Sequence, residues 1–247
     1  MSKSYPSKYH RIISNVEETH FWFRARRNML ECVIRHFYPQ PVGKKFLEVG
    51  FGTGELLSVI ESLGFTTSGV DINEEARTHA KQRSHATLYI QSFLQFIHAS
   101  YDAIGLFDVL EHQKDDVQFL RHAYKLLKFN GLIFLTVPAG PWLWSDIDRL
   151  SGHVRRYTKK DLLKKLNGSG FHPLWCNYWN ALLLPFYVIW KVLSIFIGKS
   201  NPAQFVSTIN PLLNIIFFYI ITIENKITLH IPFLFGTSLV VVARKER

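Results

Sequence analysis

The sequence predicts an α/β fold built on a doubly wound parallel sheet. Short apolar runs of strand type alternate with stretches of helical periodicity between residues 46 and 137. Three glycines on alternate positions follow the first apolar run, and carboxylates follow the second and the fourth. Because open α/β sheets bind ligands beyond the carboxyl ends of their strands, these glycines and carboxylates are expected to border one ligand site.

The composition is that of a folded, basic protein. Apolar residues make up 47% of the 247 residues and aromatic residues 15%, which excludes a disordered chain. The formal net charge of +10 favours an acidic partner, either anionic lipid, a phosphorylated substrate or RNA, and a basic protein without such a partner is an equal alternative. Cys32 and Cys176 lie far apart, so neither a disulfide framework nor a metal site is expected. The first residues lack the apolar run of a signal peptide, and a cytoplasmic location is expected.

Residues 1–40 are predicted to form an N-terminal helical extension that precedes the main domain, residues 41–247. Apolar residues recur at helical spacing after residue 28, and several arginines accompany them. Two interpretations are open. The helix covers one face of the sheet, or it forms a lid with Trp22 and Arg24 near the ligand site.

The glycine-rich loop consists of Gly50, Gly52 and Gly54. It follows a predicted first strand and precedes a predicted helix. Glycines let the backbone turn sharply, expose its N–H groups and approach a ligand closely. A dinucleotide-binding loop would have a third glycine at the position of Glu55. Glu48, two residues before the loop, suits a ligand with positive charge and an α-amino group better than it suits a pyrophosphate.

The second and fourth strands each end in an acidic residue. Asp71 ends the second strand, where its carboxylate can accept hydrogen bonds from both hydroxyls of a ribose; the alternative is that it caps the next helix. Asp108 begins the Asp-Val-Leu-Glu-His turn after the fourth strand, and Phe107 and Asp108 are expected to line the ligand side. His112 is a candidate general base because imidazole titrates near neutral pH; the alternative is a structural role in which it bonds the backbone at the strand end.

Two of these motifs resemble those of a known family. The pattern Glu-x-Gly-x-Gly-x-Gly of residues 48–54 resembles the first motif of class I S-adenosylmethionine (SAM) methyltransferases, and residues 108–112 resemble the fourth-strand motif of their type 11 group. The resemblance covers residues 40–180 and 236–245. It implies a Rossmann-like seven-stranded sheet, SAM as cofactor, and a site for its methionine end at Glu48 and the glycine loop. It also implies that Ile72 flanks the adenine and that Ser92 replaces the acid with which many relatives contact adenine.

The segment from Trp142 to Thr158 follows the fifth strand, so it is expected to overhang the mouth of the pocket. Its residues 152–158 resemble those of type 11 relatives often found with polysaccharide and glycolipid pathways. The alternative is a solvated basic loop docked on the next helix. His153 and Tyr157 join His112 as candidate bases, and the candidate acceptor-binding residues are Arg155, Arg156 and Trp142.

In class I methyltransferases the last two strands usually form a tight antiparallel pair, but here residues 180–232 intervene between them. A helix that spans a bilayer needs ~20 apolar residues, and the run of residues 181–197 is short and carries Pro185 and Lys191. The second run, residues 205–223, is also interrupted by polar residues. We expect helices that lie in or shallowly enter a membrane surface. Packing on the domain itself, or a homodimer interface, is the alternative.

Together these features predict methyl transfer from SAM to a lipid-linked, glycan or otherwise hydrophobic acceptor. The protein is expected to be peripheral or monotopic at the cytoplasmic face of a membrane. Its charge also suggests an RNA or protein methyltransferase, but no recognisable RNA-binding module is present and no nucleic-acid partner is expected. A non-catalytic membrane scaffold is the other alternative, and the intact Glu48, glycines and Asp71 argue against it.

Overall fold

The computed structural model describes residues 16–98, 100–197 and 209–246. Its sheet has seven strands in the order β3-β2-β1-β4-β5-β7-β6, with β7 antiparallel to both of its neighbours. The predicted doubly wound α/β fold and its antiparallel last pair are thereby confirmed. The strands are β1 (Lys45–Val49), β2 (Thr66–Asp71), β3 (Thr87–Ile90), β4 (Tyr101–Phe107), β5 (Leu127–Pro138), β6 (Phe171–Trp179) and β7 (Ser238–Lys245).

Helices cover both faces of the sheet. Residues that alternate along a strand point to opposite faces, so Phe46 packs into the cluster beneath the N-terminal helix while Leu47 packs into the cluster on the other face. Short 3₁₀ turns follow β3, β4 and β5. The helices are α1 (Phe21–Phe37), α2 (Glu55–Ser62), α3 (Glu74–Arg83), α4 (Asp116–Leu126), α5 (Asp146–Leu150), α6 (Lys159–Gly168), α7 (Leu184–Ile197) and α8 (Pro211–Ile227).

Helix α1 covers one face of the sheet, as one interpretation of the N-terminal extension expected; residues 1–15 of that extension lie outside the described part of the chain. His20 precedes the helix, and its side chain accepts a hydrogen bond from the Trp22 N–H, as an N-cap residue does. Ala25, Met29 and Val33 lie on the buried face and belong to the same cluster as residues of β1, β4 and β5. The apolar face of α1 is therefore part of the core of the domain.

Helices α7 and α8 lie between β6 and β7, and the inner face of α8 packs on the domain. The Asn214 side chain accepts from the N–H of Phe21 at 2.7 Å. The Asn225 side chain donates to the Ala25 carbonyl at 2.8 Å and accepts from the indole N–H of Trp179 at 2.8 Å. Buried polar groups thus find partners in α1 and β6. The inner face of α8 therefore packs on the domain itself, which was the alternative to contact with a membrane.

The outer surfaces of α7 and α8 expose large apolar side chains at helical spacing. On α8, Leu212 is 65% exposed and Tyr219 62% exposed. The two helices touch through the rings of Phe186 and Phe217, whose centroids are 5.8 Å apart. Among the helices of the described part of the chain, none is both long and apolar enough to cross a membrane. The exposed apolar residues are Phe186, Ile189 and Val192 of α7 and Leu212, Leu213, Ile215, Ile216, Tyr219 and Ile223 of α8.

Candidate functional site

The glycine-rich loop joins β1 to α2, and all three glycines have positive φ angles, of +73°, +50° and +79°. A Cβ atom on Gly50 would lie 2.7 Å from Val109 Cγ2, and one on Gly54 would lie 2.6 Å from Ala80 Cα. A Cβ atom on Gly52 would have no atom of the described residues within 4 Å. Gly50 and Gly54 are therefore required by close packing, whereas Gly52 borders open space that a ligand could use.

Asp71 holds the glycine-rich loop against the end of β2. Its carboxylate accepts hydrogen bonds from the N–H groups of Gly52 at 3.0 Å and Asn73 at 2.9 Å. The side chain of Asn73, not that of Asp71, caps α3. Ile72 is 46% exposed and lies beside Asp71. Ser92 follows β3, the strand next to β2, so Ile72 and Ser92 both lie at this edge of the sheet; their contacts with adenine remain predictions.

Glu48 is buried beneath the loop, and its Oε2 atom has no hydrogen-bond partner within the described residues. Burial raises the pKa of its carboxyl well above the usual range; Arg26 opposes this shift, and the charges of Asp71 and Glu55 add to it. An unpaired buried acceptor with two further carboxylates nearby favours a cationic ligand group. The expected partner, the α-amino group of SAM, has this chemistry.

Arg26 is a residue of the site that the sequence analysis missed. Its Nη2 atom lies 2.6 Å from Asp108 Oδ2, and its guanidinium lies 5.5 Å from the centre of the Trp22 ring. Arg24, which was expected near the site, instead stacks on the ring of Phe218 in α8 at 3.9 Å. Two residues along a helix differ by about 200° in direction, so only one of the two arginines could face the pocket. Arg24 therefore does not lie where the lid interpretation expected it. Trp22 does lie beside a residue of the site, Arg26.

The residues just before α1 contact the glycine-rich loop. Glu17 is buried and accepts a hydrogen bond from Thr53 Oγ1 at 2.8 Å, and it also pairs with Arg83 of α3. Arg27 of α1 pairs with Glu55 at the start of α2 at 2.9 Å. Glu17 and Arg27 thus join the N-terminal region to the glycine-rich loop and to the start of α2. A lid function for this region remains a prediction.

Phe107 and Asp108 end β4 in different environments. The Phe107 side chain is buried in the cluster beneath α1. It therefore belongs to the core, and the expectation that its side chain lines the ligand site is corrected. Asp108 has a φ angle of +58°, a conformation that non-glycine residues rarely adopt. Its N–H donates to the Thr136 carbonyl at 3.0 Å, and its carboxylate turns towards Arg26.

Glu111, His112 and His153 form a cluster between the turn after β4 and the loop after β5. Glu111 is fully buried, and neither of its carboxylate oxygens has a hydrogen-bond partner in any other residue of the described part of the chain. The rings of His112 and His153 have centroids 4.9 Å apart. Burial and the neighbouring His153 lower the pKa of His112 to about 4, so its imidazole is neutral at neutral pH. The structure brings both candidate histidines together, and it adds Glu111, which the sequence analysis did not single out.

Asp148 organises the loop after β5. It is fully buried, and it accepts hydrogen bonds from His153 Nδ1 and Arg156 Nε, both at 2.8 Å, and from the Ser145 N–H. Burial acts to raise the pKa of Asp148, but the hydrogen bonds from His153 and Arg156 hold it well below its usual range. Arg156 also donates to the Ala139 carbonyl at 3.0 Å. Arg156 is thereby committed to the loop, which corrects the expectation that it binds the acceptor.

Tyr157 and Arg155 bind a second buried carboxylate, that of Asp116 in α4. The Tyr157 hydroxyl donates to Asp116 Oδ2 at 2.9 Å, Arg155 Nη1 lies 2.5 Å from the same oxygen, and Lys165 Nζ lies 2.6 Å from it. Burial and the Asp116 charge raise the pKa of Tyr157 far above its usual range. Tyr157 is therefore a structural residue and not a base candidate. The Arg155 guanidinium is likewise engaged by Asp116, which corrects its expected role at the acceptor.

Trp142 lies at the start of the loop after β5 and is 63% exposed. Lys191 of α7 donates hydrogen bonds to the carbonyls of Trp142 and Trp144, both at 3.0 Å. A cavity of about 150 Å³ opens beside Trp142 and is lined in part by Tyr178 and Phe235. The loop after β5 is thus joined directly to α7, and Trp142 remains a candidate for contact with an acceptor.

Comparison with known proteins agrees with this geometry. The family model described as a methyltransferase domain matches residues 21–176. A "Probable S-adenosylmethionine-dependent methyltransferase" of Mycobacterium tuberculosis is 27% identical over 131 residues, which are 52% of this chain and 46% of that protein. A ubiquinone biosynthesis O-methyltransferase of Vibrio parahaemolyticus is 34% identical over 103 residues, which are 38% of this chain and 43% of that protein. The chain therefore matches about half the length of these curated relatives.

Solved structures share the fold. The N-methyltransferase NodS of Bradyrhizobium japonicum, in complex with S-adenosylhomocysteine, has a TM-score of 0.57 at 14% identity, with 91% of this chain and 88% of that chain covered. The magnesium protoporphyrin IX methyltransferase of Synechocystis, also with bound S-adenosylhomocysteine, has a TM-score of 0.58 at 14% identity, with 91% and 84% covered. Since the family model matches more than half of the chain, the protein belongs to the methyltransferase-domain family. The expected cofactor, SAM, and the expected class of SAM-dependent methyltransferases agree with this family and with the relatives named above.

Proposed function

We propose that the protein transfers the methyl group of SAM to a hydrophobic or lipid-linked acceptor at the cytoplasmic face of a membrane. The observation that carries this proposal is the exposed apolar surface of α7 and α8, which Lys191 joins to the loop bordering the site. Few monomeric proteins expose contiguous apolar patches of this kind without a partner.

The residues around the glycine-rich loop suit the cofactor. Glu48 offers an unpaired carboxylate oxygen for the α-amino group, Gly52 borders open space, and Asp71 lies at the strand end where a ribose would bind. SAM supplies an electrophilic methyl group on a cationic sulfur. The protein's task is to align the acceptor atom with that methyl group, and such positioning can contribute ~7–11 kcal/mol.

The acceptor atom forms a bond to the methyl carbon while the carbon–sulfur bond breaks and its electron pair stays on sulfur. A hydroxyl acceptor must also lose its proton. His112 and His153 remain candidates to accept this proton. His112 lies in the turn after β4, His153 lies in the loop after β5, and their rings are in contact. Asp148 accepts the hydrogen bond from His153 Nδ1, which fixes the ring and places the proton on that nitrogen.

The membrane part of the proposal rests on apolar area and charge. Burying one large apolar side chain yields about 1.5–3 kcal/mol, so a few residues of α7 and α8 suffice for binding. The net charge of +10 adds attraction to anionic lipid headgroups. Acceptors carried by lipids would then reach the site from the side of Trp142.

The test is to incubate the protein with radiolabelled SAM and a total cell extract, and then to separate lipid, glycan, protein and RNA fractions. We expect label in the lipid fraction. Label confined to RNA or protein would overturn the acceptor class. A catalytically silent protein that still binds SAM would overturn methyl transfer itself and favour the scaffold.

A further inference from the structure

We propose that Glu111, His112 and His153 bind a divalent transition-metal cation. One carboxylate oxygen and one nitrogen from each ring lie within 4.8 Å of one another. The Nε2 atom of His153 lies 3.7 Å from Glu111 Oε1. Bonds of ~2.0–2.2 Å to a tetrahedral cation place its ligands ~3.4 Å apart, so small side-chain adjustments would close the site.

Glu111 is the observation that first points to a cation. Its side chain is completely buried, and neither carboxylate oxygen has a hydrogen-bond partner in any other described residue. The negative charges of Asp108 and Asp148 act on Glu111, and the positive charge of Arg26 opposes them. Buried carboxylates in proteins are paired, hydrogen-bonded or bound to metals. A hydrogen bond between Glu111 and His153 does not account for the arrangement, because 3.7 Å exceeds hydrogen-bond range.

The second observation is that oxygen atoms orient both histidines. Asp148 Oδ1 lies 2.8 Å from His153 Nδ1, and the Gly152 carbonyl lies 3.3 Å from His112 Nδ1. A carbonyl oxygen only accepts, so Nδ1 of His112 carries the proton. Histidines that bind metals typically donate their other ring N–H to a carboxylate or carbonyl in this way. Arg156 and the Ser145 N–H in turn hold the Asp148 carboxylate in place.

The donor set selects the class of cation. Two imidazoles and one carboxylate suit zinc and the other first-row divalent ions, whereas magnesium and calcium prefer sites made of oxygen atoms. Three protein ligands leave at least one coordination position for water or a substrate oxygen. The sequence did not predict this site, because Glu111 and His112 follow β4 whereas His153 follows β5, and only the fold brings them together.

The cation would also bear on catalysis, and this step rests on the proposed function. The cluster lies between the turn after β4 and the loop that carries Trp142, where the acceptor is expected. An acceptor hydroxyl bound to a divalent cation loses its proton more readily. In that case His112 and His153 would act as ligands rather than as proton acceptors.

The test uses tag-free protein that has been treated with chelator, titrated with ZnCl₂ and with MnCl₂ by calorimetry in the absence of SAM. We expect one cation bound per chain and a rise in melting temperature on binding. Glu111→Gln and His153→Gln should each weaken binding at least tenfold. The matched control is His172→Gln, which removes an exposed histidine 3.8 Å from the Glu246 carboxylate and should leave affinity unchanged.

Absence of cation binding, or equal losses in His172→Gln, would overturn the proposal. Glu111→Gln keeps the size of a completely buried side chain whose burial already disfavours the charged form, so its melting temperature without cation should not fall below that of the wild type. SAM binding measured without cation separates the two proposals. Wild-type protein that binds SAM but no cation refutes this inference alone, whereas one that binds the cation but not SAM refutes the proposed function.

Discussion

Arg26 of α1 and Asp108 at the end of β4 form an ion pair in which Nη2 and Oδ2 are 2.6 Å apart. The pair joins the N-terminal helix to the carboxyl end of the sheet. It also places one cation among several carboxylates, because the charge of Arg26 lowers the pKa values of Glu48 and Glu111 against the larger effect of their burial. The electrostatics of the predicted cofactor site therefore depend on a helix that lies outside its sequence motifs.

Replacing Arg26 should destabilise the protein without SAM. In Arg26→Gln the half-buried Asp108 and the buried Glu48 lose their compensating charge, and we expect a loss of about 2 kcal/mol in the free energy of unfolding. Urea denaturation measures this loss. The matched control is Arg35→Gln, whose guanidinium is 66% exposed and pairs with Glu31, and whose loss should stay under about 0.5 kcal/mol. Equal losses in both variants would contradict the assignment.

Glu48 should make the stability of the cofactor-free protein depend on pH. Burial raises its pKa in the folded state. Its contribution to stability is therefore fully present below the pKa of the unfolded chain and is lost as pH rises through the folded pKa. The difference in unfolding free energy between Glu48→Gln and the wild type should accordingly grow in favour of the variant from pH 4 to pH 9. Chemical denaturation across this range measures it, and a difference independent of pH would refute the assignment.

Two glycines of the loop should respond differently to alanine. Gly54→Ala brings a Cβ atom to 2.6 Å from Ala80 Cα, and with its positive φ we expect a loss of about 3 kcal/mol in stability. Gly52→Ala meets no described atom within 4 Å, so only the φ cost of about 1 kcal/mol applies. Its methyl group instead occupies ligand space, and calorimetry should show SAM affinity reduced at least tenfold. Unchanged affinity in Gly52→Ala would place the cofactor elsewhere.

Tyr157→Phe separates a structural from a catalytic role. The variant loses one of several hydrogen bonds to Asp116, and we expect about 1–2 kcal/mol less stability. The rate of methyl transfer should stay within about twofold, whereas removal of a general base would lower it ~10²-fold or more. Thermal unfolding and a transfer assay on the same preparation measure both quantities. A large rate loss with unchanged stability would restore Tyr157 as a base.

The sheet and the glycine-rich loop could be predicted because their signals are local. The alternation of apolar runs fixed the order of elements, and Gly50, Gly54 and Asp71 lie in the positions that their spacing implied. The roles of Arg26 and Asp148 could not be predicted, since each depends on which side of a helix or loop packs against a distant element. Tyr157 and Arg156 were misassigned for the same reason. A sequence shows that a side chain is polar, but not that a buried carboxylate already engages it.

The outer surface of α8 should carry the membrane interaction, and Ile215→Glu tests it. Ile215 is 52% exposed on the apolar stripe, so a carboxylate there costs little in folding but cannot enter lipid. We expect its partition onto vesicles of phosphatidylglycerol and phosphatidylcholine to fall about tenfold or more.

The control Val42→Glu changes a residue that is 82% exposed in the loop before β1, far along the chain from α8, and it adds the same charge. Equal losses in the two variants would indicate that charge alone governs binding. If wild-type protein fails to sediment with these vesicles and forms a dimer that Ile215→Glu dissociates, the apolar surface is an interface between two copies of the chain and the membrane proposal is wrong.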